Sequence, residues 1–453
     1  MILLKLLYYG TWKMADESNL ALTWYAFLIG TGILSVIFFE GFVSVILIIL
    51  FISAFLLGIR YYRLYILPIK QMREFFDGVF AEMKFQVAER YPYFLSKSDI
   101  SKLIVAYSFK THIPLKMWMA KKDHFEMYLN ERIIDIKQDE HDKRTIHLHV
   151  QREPLPELIR WRDKYIHEDN ILNIGVSHYG LVLGMDLERH PHSFIAGETG
   201  SGKSNILKCL IHQALYKGFE VVLIDFKRGV SFSEFSSAVA VYYDYKEVLK
   251  KLSFLVGETD SRLDKFRSVG VDNINDYNRT TEDCLNKIIV FIDELAELLK
   301  TKDKETASIL NSSIETLTRL SRAVGIHLIM GIQRPDSTII SGQIKNNVSY
   351  RVCGRFVDKE PSRIMLGSDT ANTLPNIKGR FIIKDDDLHE VQSFYFEGNN
   401  IPQRIIEEPP PIEQTEPSPV KENITDSNTS VSKQKEPVKR STDFEFDFSN
   451  LKK

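Results

Sequence analysis

Residues 193–215 read SFIAGETGSGKSNILKCLIHQAL. The first four residues suit a short buried strand, and the last twelve carry apolar side chains at helical spacing. Between them, GETGSGKS at 197–204 fits the pattern G-x-x-x-x-G-K-[ST]. Such glycines let backbone N–H groups turn toward phosphate oxygens, and the start of the helix adds a positive dipole end. We read Gly197, Glu198, Thr199, Gly200, Ser201, Gly202, Lys203 and Ser204 as a cradle for a nucleotide. Lys203 would reach the outer phosphates, and the Ser204 hydroxyl would hold Mg²⁺.

The next informative run lies about ninety residues on. IIVFIDELAELL, at 288–299, opens with five apolar residues and then Asp293-Glu294. A fully apolar run of that length reads as a strand buried on both faces. Acids at its carboxyl end stand where a nucleotide-bound metal needs them. Asp293 would hold Mg²⁺, partly through water. Glu294 would polarise the attacking water as general base. Two further strands carry polar tips: VVLIDFK (221–227) ends in Asp225 and Lys227, and HLIMGIQRP (327–335) in Gln333. Gln333 would contact the γ-phosphate or the attacking water. Strands alternating with helices predict an α/β fold with a mostly parallel sheet.

The 453-residue chain predicts two to three domains. Its formal charge of −2 gives no global sign of nucleic acid, although a ring can confine basic groups to its pore. Cys209, Cys284 and Cys353 are scattered, with no zinc spacing, and read as free thiols buried like small hydrophobes.

From residue 20 to 59 the chain is almost continuously apolar, with Glu40 the only charge. Forty residues suit two bilayer spans. We expect a transmembrane helical hairpin over 22–59, after a cytoplasmic segment 1–21, with Glu40-Gly41 at the turn. No small-residue cleavage site follows, which argues against a signal peptide. A buried core hairpin would show polar residues at helical period. Arg60, Arg63, Lys70 and Arg73 follow the second span, Lys5 and Lys13 precede the first, and the turn has neither Lys nor Arg. Both termini should therefore be cytoplasmic, in a multi-pass protein of the cell membrane. Tyr61, Tyr62 and Tyr65 suit an aromatic belt.

Residues 60–170 read as a juxtamembrane and mixed α/β region without evident chemistry. TIHLHV (145–150) alternates like a strand, and LPELIRWRDKYI (155–166) has helical spacing. His147 and His149 share a strand face but lack a third metal ligand. The motor spans 171–400. The tail, 407–453, is rich in Pro, Glu, Ser, Thr and Lys and should be disordered. It carries DFEFDF at 443–448, read either as chance or as a docking peptide.

Together these residues resemble the FtsK/SpoIIIE family of DNA pumps. The likeness runs over about 172–370: GLVLGMDLERHPHSFIAGETGSGKS (180–204), SRLDKFRSVGVDNINDYN (261–278), IIVFIDELAEL, and LSRAVGIHLIMGIQRPDSTIISGQIKNNVSYRVCGRF (320–356). It implies a RecA-like P-loop ATPase core, a ring that is hexameric, and DNA as partner. It also implies an arginine given to the neighbour's ATP; Arg319, Arg322, Arg351 and Arg363 are the candidates. We expect a disordered tail in place of the family's C-terminal sequence-reading domain, so orientation by DNA sequence is not expected. Length, hairpin and single motor resemble the coupling proteins of conjugative transposons and plasmids in Gram-positive bacteria. That implies a relaxase or relaxosome and a type IV secretion channel as partners. Rival expectations are a type VII-like protein secretion ATPase, a chromosome or plasmid partitioning pump, and a non-catalytic scaffold. A single loop without internal repeat disfavours the first, and the intact Lys203, Asp293 and Glu294 disfavour the last.

Overall fold

The computed structural model describes residues 30, 42–166, 170–336 and 340–398. The first helix of the expected hairpin, its turn at Glu40 and the tail from 407 lie outside the described residues. The chain divides into two compact units. One runs to Asp99 and resumes over Val105–Val150; the other holds Ile100–Ile104 and everything from Gln151.

The first unit begins with helix α1 (Phe42–Tyr61), a π-turn (Tyr62–Ile66) and helix α2 (Leu67–Glu82). Val45–Glu82 is the one candidate membrane span among the described residues, a 38-residue continuous helix. Apolar side chains of α1, Ile49 and Leu57 among them, are exposed. Among the described residues nothing packs on this surface, which by length and composition could cross a membrane. The π-turn has a local cause. Pro68 has no N–H to return to Leu64, and the ladder slips so that the Leu67 N–H donates to the Tyr62 carbonyl.

Helix α2 then changes character. Phe76, Val79 and Phe80 are buried against a four-stranded antiparallel sheet. Its strands are β1 (Tyr93–Asp99), β2 (Ile104–Lys110), β3 (Ile133–Gln138) and β4 (Thr145–Gln151), in the order β1-β2-β4-β3. The core is aromatic: Phe76 meets Phe109 edge-on with centroids 4.7 Å apart, and Trp118 stacks on Phe125 at 5.3 Å. His147 Nδ1 shares a 2.8 Å hydrogen bond with Ser108 Oγ, and no metal-ligating cluster occurs among the described residues.

The second unit is built on an eleven-stranded sheet. Its strands are β5 (Ile159–Arg160), β6 (Ile171–Ser177), β7 (Val182–Asp186), β8 (His192–Ala196), β9 (Glu220–Ile224), β10 (Val241–Tyr242), β11 (Ile288–Ile292), β12 (Ile326–Ile332), β13 (Tyr350–Gly354), β14 (Arg380–Lys384) and β15 (Leu388–Tyr395). Six run parallel in the order β10-β9-β11-β12-β8-β13, and β14, β15, β6 and β7 continue antiparallel. Every residue of β8, β11 and β12 is buried. The cause is cover on both faces. Helix α3 (Lys203–Tyr216) packs on β9, β6 and β15, while α4 (Tyr245–Val269) and α5 (Lys304–Leu320) pack on each other and bury Leu255, Ile314 and Leu317 in the sheet's main apolar cluster. Asp244 and Asp303 cap α4 and α5 by accepting backbone N–H groups of their first turns.

Two expectations need correction. Residues 155–166 hold no α-helix. They form β5 and the 3₁₀ turn Asp163–Tyr165, because Pro154 and Pro156 break the entry and Ile159 and Arg160 pair in parallel with Phe394 and Tyr395. Of the three cysteines, Cys209 and Cys353 are buried, but Cys284 is exposed in the loop before β11.

Candidate functional site

The tips of the parallel strands gather the polar residues. The glycine-rich loop leaves β8 and enters α3 at Lys203. Gly202 at its foot has φ 108°, a backbone open to glycine, and an added Cβ would lie 3.2 Å from the Gly379 nitrogen. The loop is pinned from outside: the Gly379 N–H donates to the Ser201 carbonyl at 2.8 Å, and the Val357 N–H to Glu198 Oε1 at 2.8 Å.

Loop and acids are not on neighbouring strands, since β12 runs between β8 and β11. The gap is bridged at Gly331 of β12. A Cβ there would fall 2.1 Å from the Asp293 carbonyl oxygen and 2.9 Å from Lys203 Nζ. Only an absent side chain lets Lys203 cross. Its Nζ donates to the Asp293 main-chain carbonyl and lies 3.5 Å from both Asp293 Oδ1 and Glu294 Oε2.

The two acids are held differently. Asp293 Oδ2 accepts from Lys227 Nζ at 2.8 Å and Ser231 Oγ at 3.0 Å. Burial pushes this carboxyl up, but Lys203 first, then Lys227 and Ser231, outweigh it and hold it below the ordinary range. Glu294 accepts the Gln333 backbone N–H on both oxygens, at 3.2 and 3.0 Å. Here burial dominates and pushes the carboxyl above its ordinary range, with Lys203 opposing. Adjacent carboxyls driven apart in this way suit different tasks, one kept ionised and one able to take a proton.

Mg²⁺ fits this arrangement. Asp293 Oδ1 is buried and has no hydrogen-bond partner, the mark of an oxygen with a lone pair to offer a cation or its water. Ser204 opens α3 one residue beyond Lys203. A cleft of about 900 Å³ adjoins the pair, lined by Lys227, Tyr245, Glu294, Glu297, Gln333 and Arg334 among others.

Set beside known proteins, residues 159–337 match the sequence profile described as the FtsK/SpoIIIE family. The solved structure of the pCW3 conjugation coupling protein TcpA, a monomer form with ATPγS, is 37% identical; the match covers 72% of this chain and 96% of that one, with a TM-score of 0.55. The chain belongs to the FtsK/SpoIIIE family. The DNA translocase FtsK of Leptospira interrogans is 32% identical over 260 residues, 53% of this chain and 27% of its own. That of Streptococcus pneumoniae is 30% identical over 270 residues, 52% and 34%. The chain thus spans about a quarter to a third of the length of the curated FtsK relatives it matches.

Within this FtsK/SpoIIIE motor, Lys203, Asp293, Glu294 and Gln333 come together as their spacing implied, with one difference. Gln333 meets Glu294 through its main chain, and its side chain lines the cleft. Sequence reasoning missed Gly331 and Ser231. A lone glycine inside the apolar run HLIMGI was a readable sign of close backbone approach. Ser231 gave none, being placed by a turn. The four arginines separate as well. Arg351 is spent on the carbonyls of Val348, Met365 and Lys345 at 2.7–3.1 Å, Arg363 on Asp369 at 2.9 Å, and Arg322 on the Glu188 carbonyl at 3.1 Å. Arg319, at the end of α5, is exposed beside Glu315, Gln343 and Asn346.

Proposed function

We propose that this chain is a membrane-anchored ATPase that translocates DNA, working as the coupling protein that hands DNA to a conjugative type IV secretion channel. The observation that carries the reading is the crossing of Lys203 beneath Gly331 to the Asp293-Glu294 pair, in a chain alike to TcpA along almost all of that structure. Mg²⁺, when bound, neutralises charge on the outer phosphates. Lys203 binds those phosphates, Asp293 and Ser204 hold the metal, and Glu294 accepts the proton of the attacking water. The Gln333 N–H orients Glu294, and the Gln333 amide faces the γ-phosphate from the cleft.

Copies assemble as a hexameric ring around the DNA. Arg319 is the arginine offered to the neighbour's ATP, since the other three candidates are bound within their own chain. The anchor is the hairpin of residues 22–59, with α1 as its second span and both termini cytoplasmic. A relaxosome and channel components are the partners, and the tail motif at 443–448 is a docking peptide for one of them.

The test uses the purified full chain. DNA should stimulate ATP hydrolysis, the stimulation should weaken as salt rises, and Lys203→Ala should abolish both turnover and conjugative transfer. Hydrolysis indifferent to DNA but raised by a secreted protein substrate would overturn the DNA reading.

A further inference from the structure

The loop after β9, residues 225–231, is DFKRGVS. It is a built turn. Asp225 is buried, and its two oxygens accept the Lys227 N–H at 2.9 Å and the Ser231 N–H at 2.8 Å. Arg228 and Gly229 follow in the left-handed region, φ 59° and 76°, a conformation that a non-glycine residue adopts at a cost. The product of that strain is specific. Lys227 and Ser231 both come to rest on one oxygen, Asp293 Oδ2. The other oxygen, Oδ1, accepts no hydrogen bond and has only the Lys203 charge 3.5 Å away.

Lys227 differs from Lys203 in what surrounds it. Lys203 is 4% exposed, enclosed under β12, whereas the Lys227 side chain is 41% exposed and lines the cleft. A lysine on a four-carbon stem at the mouth of a cleft can swing to solvent at small cost. Its pairing with Asp293 Oδ2 puts a positive charge on the carboxylate whose Oδ1 would receive a divalent cation, and the two cations repel across that one carboxylate.

We infer that Lys227 is a metal-gating residue: it competes with Mg²⁺ for Asp293, and Mg²⁺-nucleotide enters by displacing it into the cleft. This rests on the reading of the site as an Mg²⁺-ATP site. The loop then reports occupancy. With Lys227 released, Asp293 holds the turn at 225–231 through Ser231 alone, and the cleft wall gains a mobile cation beside Glu297 and Glu360.

The test is a binding measurement, not turnover. Fluorescence-detected ATPγS binding to the full chain, in detergent, is followed as free Mg²⁺ is titrated. Lys227→Gln should lower the half-saturating Mg²⁺ concentration about fivefold, the ceiling for a part-exposed ion pair. Lys227→Arg, which keeps the charge, should stay near the original value, and ATPγS binding in EDTA should be alike in all three. An unchanged or raised Mg²⁺ requirement in Lys227→Gln, with normal ATPγS binding, overturns the gate alone. Failure of the unaltered chain to bind ATPγS at any Mg²⁺ concentration overturns the gate together with the ATP reading.

Discussion

The two compact units bury different things. In the second, charged residues lie at the strand tips almost without exposure: Lys203 at 4%, Asp225 at 1%, Asp293 at 1% and Glu294 at 8%. In the first, the large buried side chains are aromatic, with Phe76, Phe80, Phe94, Phe109, Trp118 and Phe125 at 0% and none of them carrying a charge. Buried charge is costly and survives only where paired or put to work. Buried aromatic rings add packing energy and stiffness. The contrast places the buried charge of the chemistry in the second unit, while in the first a long apolar helix ends in an aromatic core.

The sharpest way to break that division is Glu294→Gln. Hydrolysis should fall by about 10²–10⁴, with ATPγS still bound and thermal unfolding of both units nearly unchanged. In the unaltered chain, the acid limb of the pH–rate profile should sit above the ordinary glutamate range, because burial raises the Glu294 pKa and the base works only once deprotonated. A profile falling off only in the ordinary range would move the base elsewhere.

The mirror experiment is Phe80→Ala. Removing a ring that is 0% exposed should cost about 3–5 kcal/mol in the first unit. Denaturant melting should show that unit unfolding earlier, while ATPγS affinity holds. Loss of nucleotide binding would mean that the units are not separable.

Smaller, and at the seam between packing and chemistry, is Gly331→Ala. A methyl 2.1 Å from the Asp293 carbonyl forces β11 and Lys203 to shift, an overpacking cost of about 1–3 kcal/mol. ATPγS affinity should drop with it; stability loss without affinity loss would show that Lys203 reaches the acids by another route.

The smallest effect concerns His192 and His327, adjacent on β8 and β12, which burial holds down to about 3. His192 Nδ1 accepts the Leu328 N–H at 3.1 Å, a bond that protonation removes. With folded values depressed below the ordinary 6.5 or so, stability is full above about pH 6.5 and declines as pH falls toward 3. Between about pH 7 and pH 5.5 the second unit should lose about 1 kcal/mol per histidine, read as a lower urea midpoint. A flat midpoint would leave these histidines without influence on acid stability.

The second unit was legible because its signals are local. A phosphate loop, a fully apolar strand and two acids lie in short runs whose chemistry dictates their spacing. The order of strands was not legible: nothing in 288–294 says that β12 intervenes, so the need for Gly331 appears only once the sheet is assembled. Lys227 could be seen as a strand-tip lysine, but its partner is sixty-six residues away and depends on a left-handed turn at Arg228. In the first unit the rings that form the core are spread from Phe76 to Phe125, with no period that marks them as one cluster. Residues 155–166 carry helical spacing, but Pro154 and Pro156 override it at the entry.

If the helix from Val45 to Glu82 is the proposed anchor, it also sets a standoff. From Arg60 to Phe76 is sixteen residues, about 24 Å of helix at 1.5 Å per residue. With α1 in the bilayer, the aromatic core hangs at that fixed height. The π-turn also fixes its heading, since one extra residue in the ladder rotates everything beyond it by about 100°. Deleting a single residue from 62–66 would keep the height within about 1.5 Å while turning the first unit to face another neighbour. In any circle of copies, the compass bearing of each subunit is then written in the five residues of the π-turn.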